Sequence, residues 1–441
     1  GALAPDHGVP PKDPSARDLT MVWFTPHEPY YQGTILRHDL VPDREYAGRD
    51  VFAELAEPTR RRGMKLYARI LEGFSRELPA RLPNWSKILS IDVYGRPTHL
   101  PCWNHPDYRL WWLSTVEDLF KSYPLDGFKW GSERSGPLTN VLHGAYHGGD
   151  VPNCFCEHCR AKGRALGIDP ERAREGFRQL YELVRAVEHS ELPEPSRSAD
   201  AGEARIHAHP HPALTDGLLV ALLRLFLRYP EILAWENLWH ESREELAKAM
   251  YGTIKQIKPE AQVGWHLYHN GVNWFLWQRA EFDMARMVPY SDWLKPVVYH
   301  DIAGPRLRRD IAHLHSRILR ELSEKQILHF LYAALGWDPA LEPDLDELME
   351  RGLSPDFVYR ETRRAVQAVE GQIPIYPGLG FDIPWDGNYF PSEPETVYQA
   401  TLKAFEAGAS GLIVSREYDE MRLDNLRAVG RAVRDAEAAG W

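Results

Sequence analysis

Short apolar runs alternate with longer stretches of helical periodicity along nearly the whole chain. Thr20–Thr25 (TMVWFT) reads as a first strand. It is followed by Lys65–Ile70 (KLYARI), Ile88–Val93, Gly127–Gly131 (GFKWG), Gln262–Leu267 (QVGWHL), Leu294–Tyr299 (LKPVVY), Ile373–Tyr376 (IPIY) and Ser410–Val414 (SGLIV). Apolar spacing predicts helices near Asp50–Arg62, Tyr108–Tyr123, Arg172–Ser190, Asp216–Arg228, Arg243–Ile257, Glu395–Ala407 and Leu423–Ala438. Strands separated by helices pair in parallel, because a parallel neighbour needs a crossover connection. Eight such strands match the α/β architecture of a (β/α)8 TIM barrel. A doubly wound sheet is the alternative, and the lack of a GxGxxG run after the first strand counts against it.

The length of 441 residues suits one large barrel with insertions, or two medium domains. Residues 1–18 are rich in Pro and charge and read as an arm, leaving 19–441 for the barrel. An excursion over about 134–215 interrupts the alternation. It holds most of the cysteines, a helix and the polar stretch 192–211, which reads as an exposed loop. The net charge of −11 and the lack of a long basic run exclude nucleic acid as an expected partner. No apolar run approaches the roughly 20 residues of a membrane span, and the N-terminus is no signal peptide. The expectation is a soluble, bacterial-type enzyme, either cytoplasmic or exported. The 15 Trp and 20 Tyr suit stacking on sugars, and equally a large core with contacts in a homo-oligomer.

The chain has four cysteines, three of them in Cys154-Phe-Cys156-Glu-His-Cys159. C-x-C-x-x-C spacing lets successive thiolates converge on one ion, and Cys102 can return as the fourth ligand. The reading is a closed, structural zinc site with no position open to substrate. Disulfides are the competing reading, with three possible pairings. C-x-C is a poor disulfide spacing, however, and unpaired buried thiols would not explain the clustering. His158 is an alternative ligand.

This layout resembles the β-galactosidases of glycoside hydrolase family 42, many of which carry one cysteine followed later by C-x-C-x-x-C. The resemblance implies a (β/α)8 catalytic domain with an acid/base glutamate after the fourth strand, between the lone cysteine and the triplet. Glu133 stands there. The family's Asn-Glu pair is Ser132-Glu133 here, and its members carry further domains after the barrel. The chain is therefore read as a relative among the glycosidase barrels, outside family 42 proper.

Barrel sites collect at the C-terminal ends of the strands, and glycoside hydrolysis needs two carboxyl groups across the scissile bond. Glu133 follows strand four directly, and Phe128 and Trp130 nearby could raise its pKa by desolvation. A rim ion pair with Arg134 is the bland alternative. The resemblance implies a strand-seven nucleophile, and Asp382 follows that strand, in a Gly-rich loop that would also suit a turn residue. Glu417, after strand eight beside Arg416, is the rival carboxylate. His27, His266, His269 and His300 follow or end other strands and suit hydrogen bonds to sugar hydroxyls. Trp23, Trp130, Trp265 and Trp385 suit stacking, as do Trp103 and Trp337, although each Trp alone is more often core. The expected function is glycoside hydrolysis of a carbohydrate substrate, with Glu133 as acid/base and Asp382 as nucleophile or base. The alternatives are a metal-dependent sugar isomerase or epimerase built on the histidines, and a non-catalytic carbohydrate-binding barrel.

Overall fold

The computed structural model describes residues 24–38, 49–72, 76–144, 151–189, 216–385, 388–389, 391–415 and 421–441, with the side chains of 270, 384, 385, 388 and 389 excepted. Its centre is a parallel sheet. Strand β1 (Tyr67–Leu71) pairs with β4 (Gly127–Gly131), β4 with β5 (Gln262–Leu267), and β5 with β6 (Trp293–Pro296). Parallel bridges Leu294–Ile375 and Val297–Gly378 carry the array on to β7 (Gly378–Gly380), which pairs in parallel with β10 (Ile413–Ser415). Each step moves in one direction along the sequence, without the reversal of strand order that defines a doubly wound sheet. A barrel wall would wind in the same direction. The expected first strand lies mostly in residues 20–23, outside the described residues.

The expected third strand does not join this sheet. Leu89–Ile91 (β2) pairs antiparallel with β3 (Pro97–Pro101), and β1 pairs directly with β4. The cause is the turn between β2 and β3. Asp92 Oδ1 accepts from Tyr94 N at 2.8 Å and Arg96 N at 2.9 Å, and Gly95 takes φ 82°, a conformation open to glycine. The hairpin returns the chain toward Cys102. A short antiparallel pair, β8 (Pro384–Trp385) with β9 (Asn388–Tyr389), lies after β7.

Period-two alternation sorts the sheet's side chains. Ala68, Phe128, Trp130, Val263, Trp265 and Leu294 share one buried apolar cluster with Trp112, Val116 and Leu119 of the Pro106–Ser122 helix and Leu246, Met250 and Ile254 of the Glu231–Ile257 helix. The residues between them, Arg69, Lys129, His266 and Lys295, therefore take the opposite face of the sheet. A second cluster joins the cysteines to Phe177 and Leu180 of the Pro170–Glu188 helix and to Trp235. That helix begins at an Asp169 cap, which accepts from Glu171 N and Arg172 N, with Pro170 at its first position.

Helices also fill the stretch between β6 and β7: His300–Arg317, Glu324–Leu335 and Pro355–Ala368. The second starts at a Ser323/Gln326 capping box. Among the described residues, no helix is long and apolar enough to cross a membrane.

Candidate functional site

The site is built around the segment leaving β4. Glu72, the residue after β1, is 2% exposed and accepts from four side chains. These are Trp103 Nε1 at 3.0 Å, Tyr108 OH at 2.6 Å, Ser132 Oγ at 2.5 Å and an Arg134 guanidinium nitrogen at 3.0 Å. The Arg134 guanidinium also lies 4.4 Å over the Trp103 ring. Both neighbours of Glu133 are thus tied to one buried carboxylate. Arg134 pairs with Glu72, which replaces the rim pair with Glu133 considered from the sequence. The Glu133 side chain remains 23% exposed, with Oε1 3.4 Å from His266 Nε2. Burial pulls the His266 imidazole down to about 3, so it is neutral at pH 7. Gly131 is required here, since a Cβ would lie 2.6 Å from His266 Cβ.

Among the described residues, this face of the sheet is basic at and below the level of His266. Lys129 is level with Arg69 on β1, and Lys295 is level with His266. Lys295 Nζ donates to Ser415 Oγ at 2.5 Å and Tyr299 OH at 3.0 Å, linking β6 to β10. It passes over Gly378, where a Cβ would meet Lys295 Cε at 2.3 Å. Burial, then the charges of Lys295 and Arg69, push Lys129 down to about 6. Burial, then Arg69, push Lys295 down to about 7. Sequence reading passed over these residues, although a basic residue at the middle of each of three short strands was the available signal. Glu72 was equally findable, by applying the strand-end rule to the second strand.

Of the residues expected at the site, Glu133, His266 and His269 come together. His269 opens the His269–Asn273 helix. It stacks on Tyr299 at 5.6 Å, with Nδ1 3.2 Å from the Val297 carbonyl. His300 is buried at the start of its helix, 3.0 Å from Asp301. Among the described residues these histidines form no metal-ligand cluster. Trp130 and Trp265 are corrections. They lie 6.2 Å apart in the core outside the sheet, with Trp265 Nε1 donating to the Tyr290 carbonyl. A strand presents alternate residues to opposite faces, so the inward place beside Trp130 belongs to Lys129. Trp103 and Trp337 are also buried. His27 is another correction. Its Nδ1 bonds Asp118 at 2.8 Å, near the end of the helix that enters β4, and so away from the strand end that carries Glu133.

Asp382 is 0% exposed and adopts φ 58°. Its carboxylate accepts from Ser392 N at 3.2 Å, Arg422 N at 3.1 Å, Arg422 Nε at 3.2 Å and Asn425 Nδ2 at 2.8 Å. This arrangement latches the β7 loop to the final helix, Leu423–Ala439, and leaves no oxygen facing an open site. It corrects the expectation of a nucleophile. Trp23, Arg416, Glu417 and the Trp385 side chain lie outside the described residues.

The four cysteines are free thiols that converge, with Cys102 Sγ 3.5 Å from Cys159 Sγ and 3.4 Å from Cys156 Sγ. A disulfide needs about 2.05 Å, whereas thiolates around zinc at about 2.3 Å stand roughly 3.8 Å apart. Four N–H groups point at the sulfurs: Ile91 N to Cys154 at 3.4 Å, Cys156 N to Cys154 at 3.5 Å, Asn104 N to Cys102 at 3.4 Å and Asn104 Nδ2 to Cys159 at 3.3 Å. Such donors suit thiolates. The set can hold one tetrahedral ion. His158 instead packs edge-on against His105.

Glu236, His240 and Glu281 form a second cluster, with one ligand atom each within 4.8 Å of the others. Burial, then Glu281, raise Glu236 to about 7, and burial raises Glu281 to about 8. Glu236 Oε2 also accepts from Leu138 N at 2.7 Å, capping the short helix after Glu133.

No protein-family model and no curated protein matches the chain. Among solved structures it is similar to the PgaB (BpsB) glycoside hydrolase domain from Bordetella bronchiseptica, at 12% identity and TM-score 0.46, over 91% of this chain and 82% of that one. It is similar to a β-galactosidase from Bacillus circulans sp. alkalophilus at 12% identity and TM-score 0.45, over 90% of this chain and 50% of that one. It is also similar to α-L-fucosidase isoenzyme 2 from Paenibacillus thiaminolyticus at 14% identity and TM-score 0.42, over 89% of this chain and 40% of that one. The chain thus spans half or less of the length of the latter two. Identities and scores of this size assign no chemistry.

Proposed function

We propose that this chain hydrolyses glycosidic bonds of a carbohydrate, with Glu133 as general acid/base. The observation that carries the reading is the placement of Glu133. It is a partly exposed carboxyl at the C-terminal end of β4, beside neutral His266, with both its neighbours fixed by Glu72. In this reading Glu133 gives its proton to the leaving oxygen and later takes one from water. His266 orients the carboxyl. Rigid flanks matter because a misplacement of about 1 Å can cost about a hundredfold in rate. The second carboxylate is Glu417. It follows Ser415, the β10 residue that Lys295 reaches inside the barrel, by two positions, whereas both oxygens of Asp382 are committed to the latch.

The four cysteines hold one structural zinc in this proposal. When bound it cross-links the β2–β3 hairpin to the segment before the Glu157–Ala165 helix and offers substrate no coordination position. From Cys102 the chain passes directly to Trp103, which donates to Glu72, so the ion supports the Glu133 segment from a distance. A panel of aryl glycosides assayed with and without chelator tests the proposal. Hydrolysis insensitive to chelator is expected. Chelator-sensitive isomerisation, or sugar binding without turnover, would replace it with one of the two alternatives.

A further inference from the structure

The acid/base chemistry proposed for Glu133 makes no use of the cations beneath it. Arg69, Lys129 and Lys295 lie on β1, β4 and β6 of one sheet, with β5 between the last two, and share the face opposite the apolar cluster. Lys129 is 8% exposed and Lys295 2%. The hydrogen bonds of Lys295 go to neutral oxygens, Ser415 Oγ and Tyr299 OH. Among the described residues, the carboxylate whose charge reaches Lys295 is Glu133. Among the described residues, the charged groups around Lys295 are thus Arg69, Lys129 and Glu133, in a protein whose net charge is −11.

Burial disfavours the charged forms of Lys129 and Lys295 and holds them at about 6 and about 7, and an anion bound between them would supply the counter-charge that restores those forms. The interior is also open to solvent: Arg69 is exposed although it sits mid-strand, and Tyr67 and Leu71 on the same face of β1 are only partly buried. A ligand entering past Glu133 would meet Lys295 first, level with His266, and then Arg69 and Lys129, which lie level with each other one layer below. Guanidinium and ammonium groups together recognise planar or tetrahedral oxyanions, by forked donation and by point charge respectively.

We infer that Arg69, Lys129 and Lys295 form a subsite for an anionic substituent, a carboxylate or a sulfate ester, on the sugar bound beside Glu133. The assignment of a sugar rests on the proposed function; recognition of the anion does not. The substrate class is then an acidic glycan of uronic acid or sulfated units. Ser415 and Tyr299 hold Lys295 toward the centre, and Gly378 gives its chain room.

Calorimetric titration of the full chain with glucuronate, galacturonate, glucose 6-sulfate, galactose 6-sulfate, the neutral parent sugars and inorganic sulfate tests this. At least one anionic class should bind tenfold or more tighter than its neutral parent. Uronates against sulfated sugars tell which anion the subsite takes. Arg69→Gln, at an exposed position that leaves folding intact, and Lys129→Met, which replaces a buried charge by an apolar chain of similar size, should each reduce that preference about tenfold. Glu133→Gln should keep it, which separates this inference from the hydrolytic reading. Equal or tighter binding of neutral sugars, a preference unchanged in both cation variants, or no binding by any of the anions would overturn it.

Discussion

The surroundings of the Asp382 carboxyl group decide its role. Asp382 is enclosed by four donors, so its loss is a stability event. Asp382→Asn should lower stability by about 1–3 kcal/mol, the cost of an unsatisfied buried donor, while activity per folded molecule stays near that of the parent. Glu417→Gln should do the reverse. Denaturant midpoints and kcat measured on both variants check the pair, and an inactive, fully stable Asp382→Asn would restore the strand-seven assignment. Asp310 offers a pH test. It is 1% exposed, accepts from Trp274 Nε1 at 2.6 Å, and burial pushes its carboxyl up to about 7. A carboxyl raised in the folded state contributes stability that is complete below its unfolded value of about 4 and is lost as pH rises through about 7. The parent's Tm should therefore fall more between pH 5 and 8 than that of Asp310→Asn, and parallel curves would contradict this.

At the scale of elements, the cysteine spacing led directly to a convergent cluster, because three thiols within six residues can hardly avoid one another. Cys156→Ser should lose bound zinc by elemental analysis and lower Tm by several degrees. It should reduce activity only in proportion to the loosening of Trp103 and Glu72, and an unchanged Tm with full metal content would remove the site from the account. The strands were legible from their apolar runs, but their neighbours in space were not. Asp92 and Gly95 build a turn that sends Leu89–Ile91 into a hairpin, and no periodicity in Ile88–Val93 announces it. Trp130 and Trp265 looked like sugar platforms because composition says nothing of facing. Counting by twos from Lys129 would have turned them toward the helices. The helices between β6 and β7 were missed although Ser323-x-x-Gln326 is a readable start signal.

At the scale of the whole molecule, a one-directional strand order brings residues that are distant in sequence to one rim. Glu72, Glu133, His266 and Lys295 lie on or just after its strands although they span about half of the chain. The alternation of strands and helices made this winding legible, while the interior charge was hidden because each basic residue is a single letter in an apolar run. The central claim is that Glu133 protonates the leaving group. Its most direct test is the dependence of kcat/KM on leaving-group pKa for a series of aryl glycosides, measured for the parent chain and for Glu133→Gln. The account predicts a shallow dependence in the parent. In the variant it predicts a steep one, with losses of about 10²–10⁴-fold for poor leaving groups and little loss for the most activated. An equal loss across the whole series, or none, would contradict it.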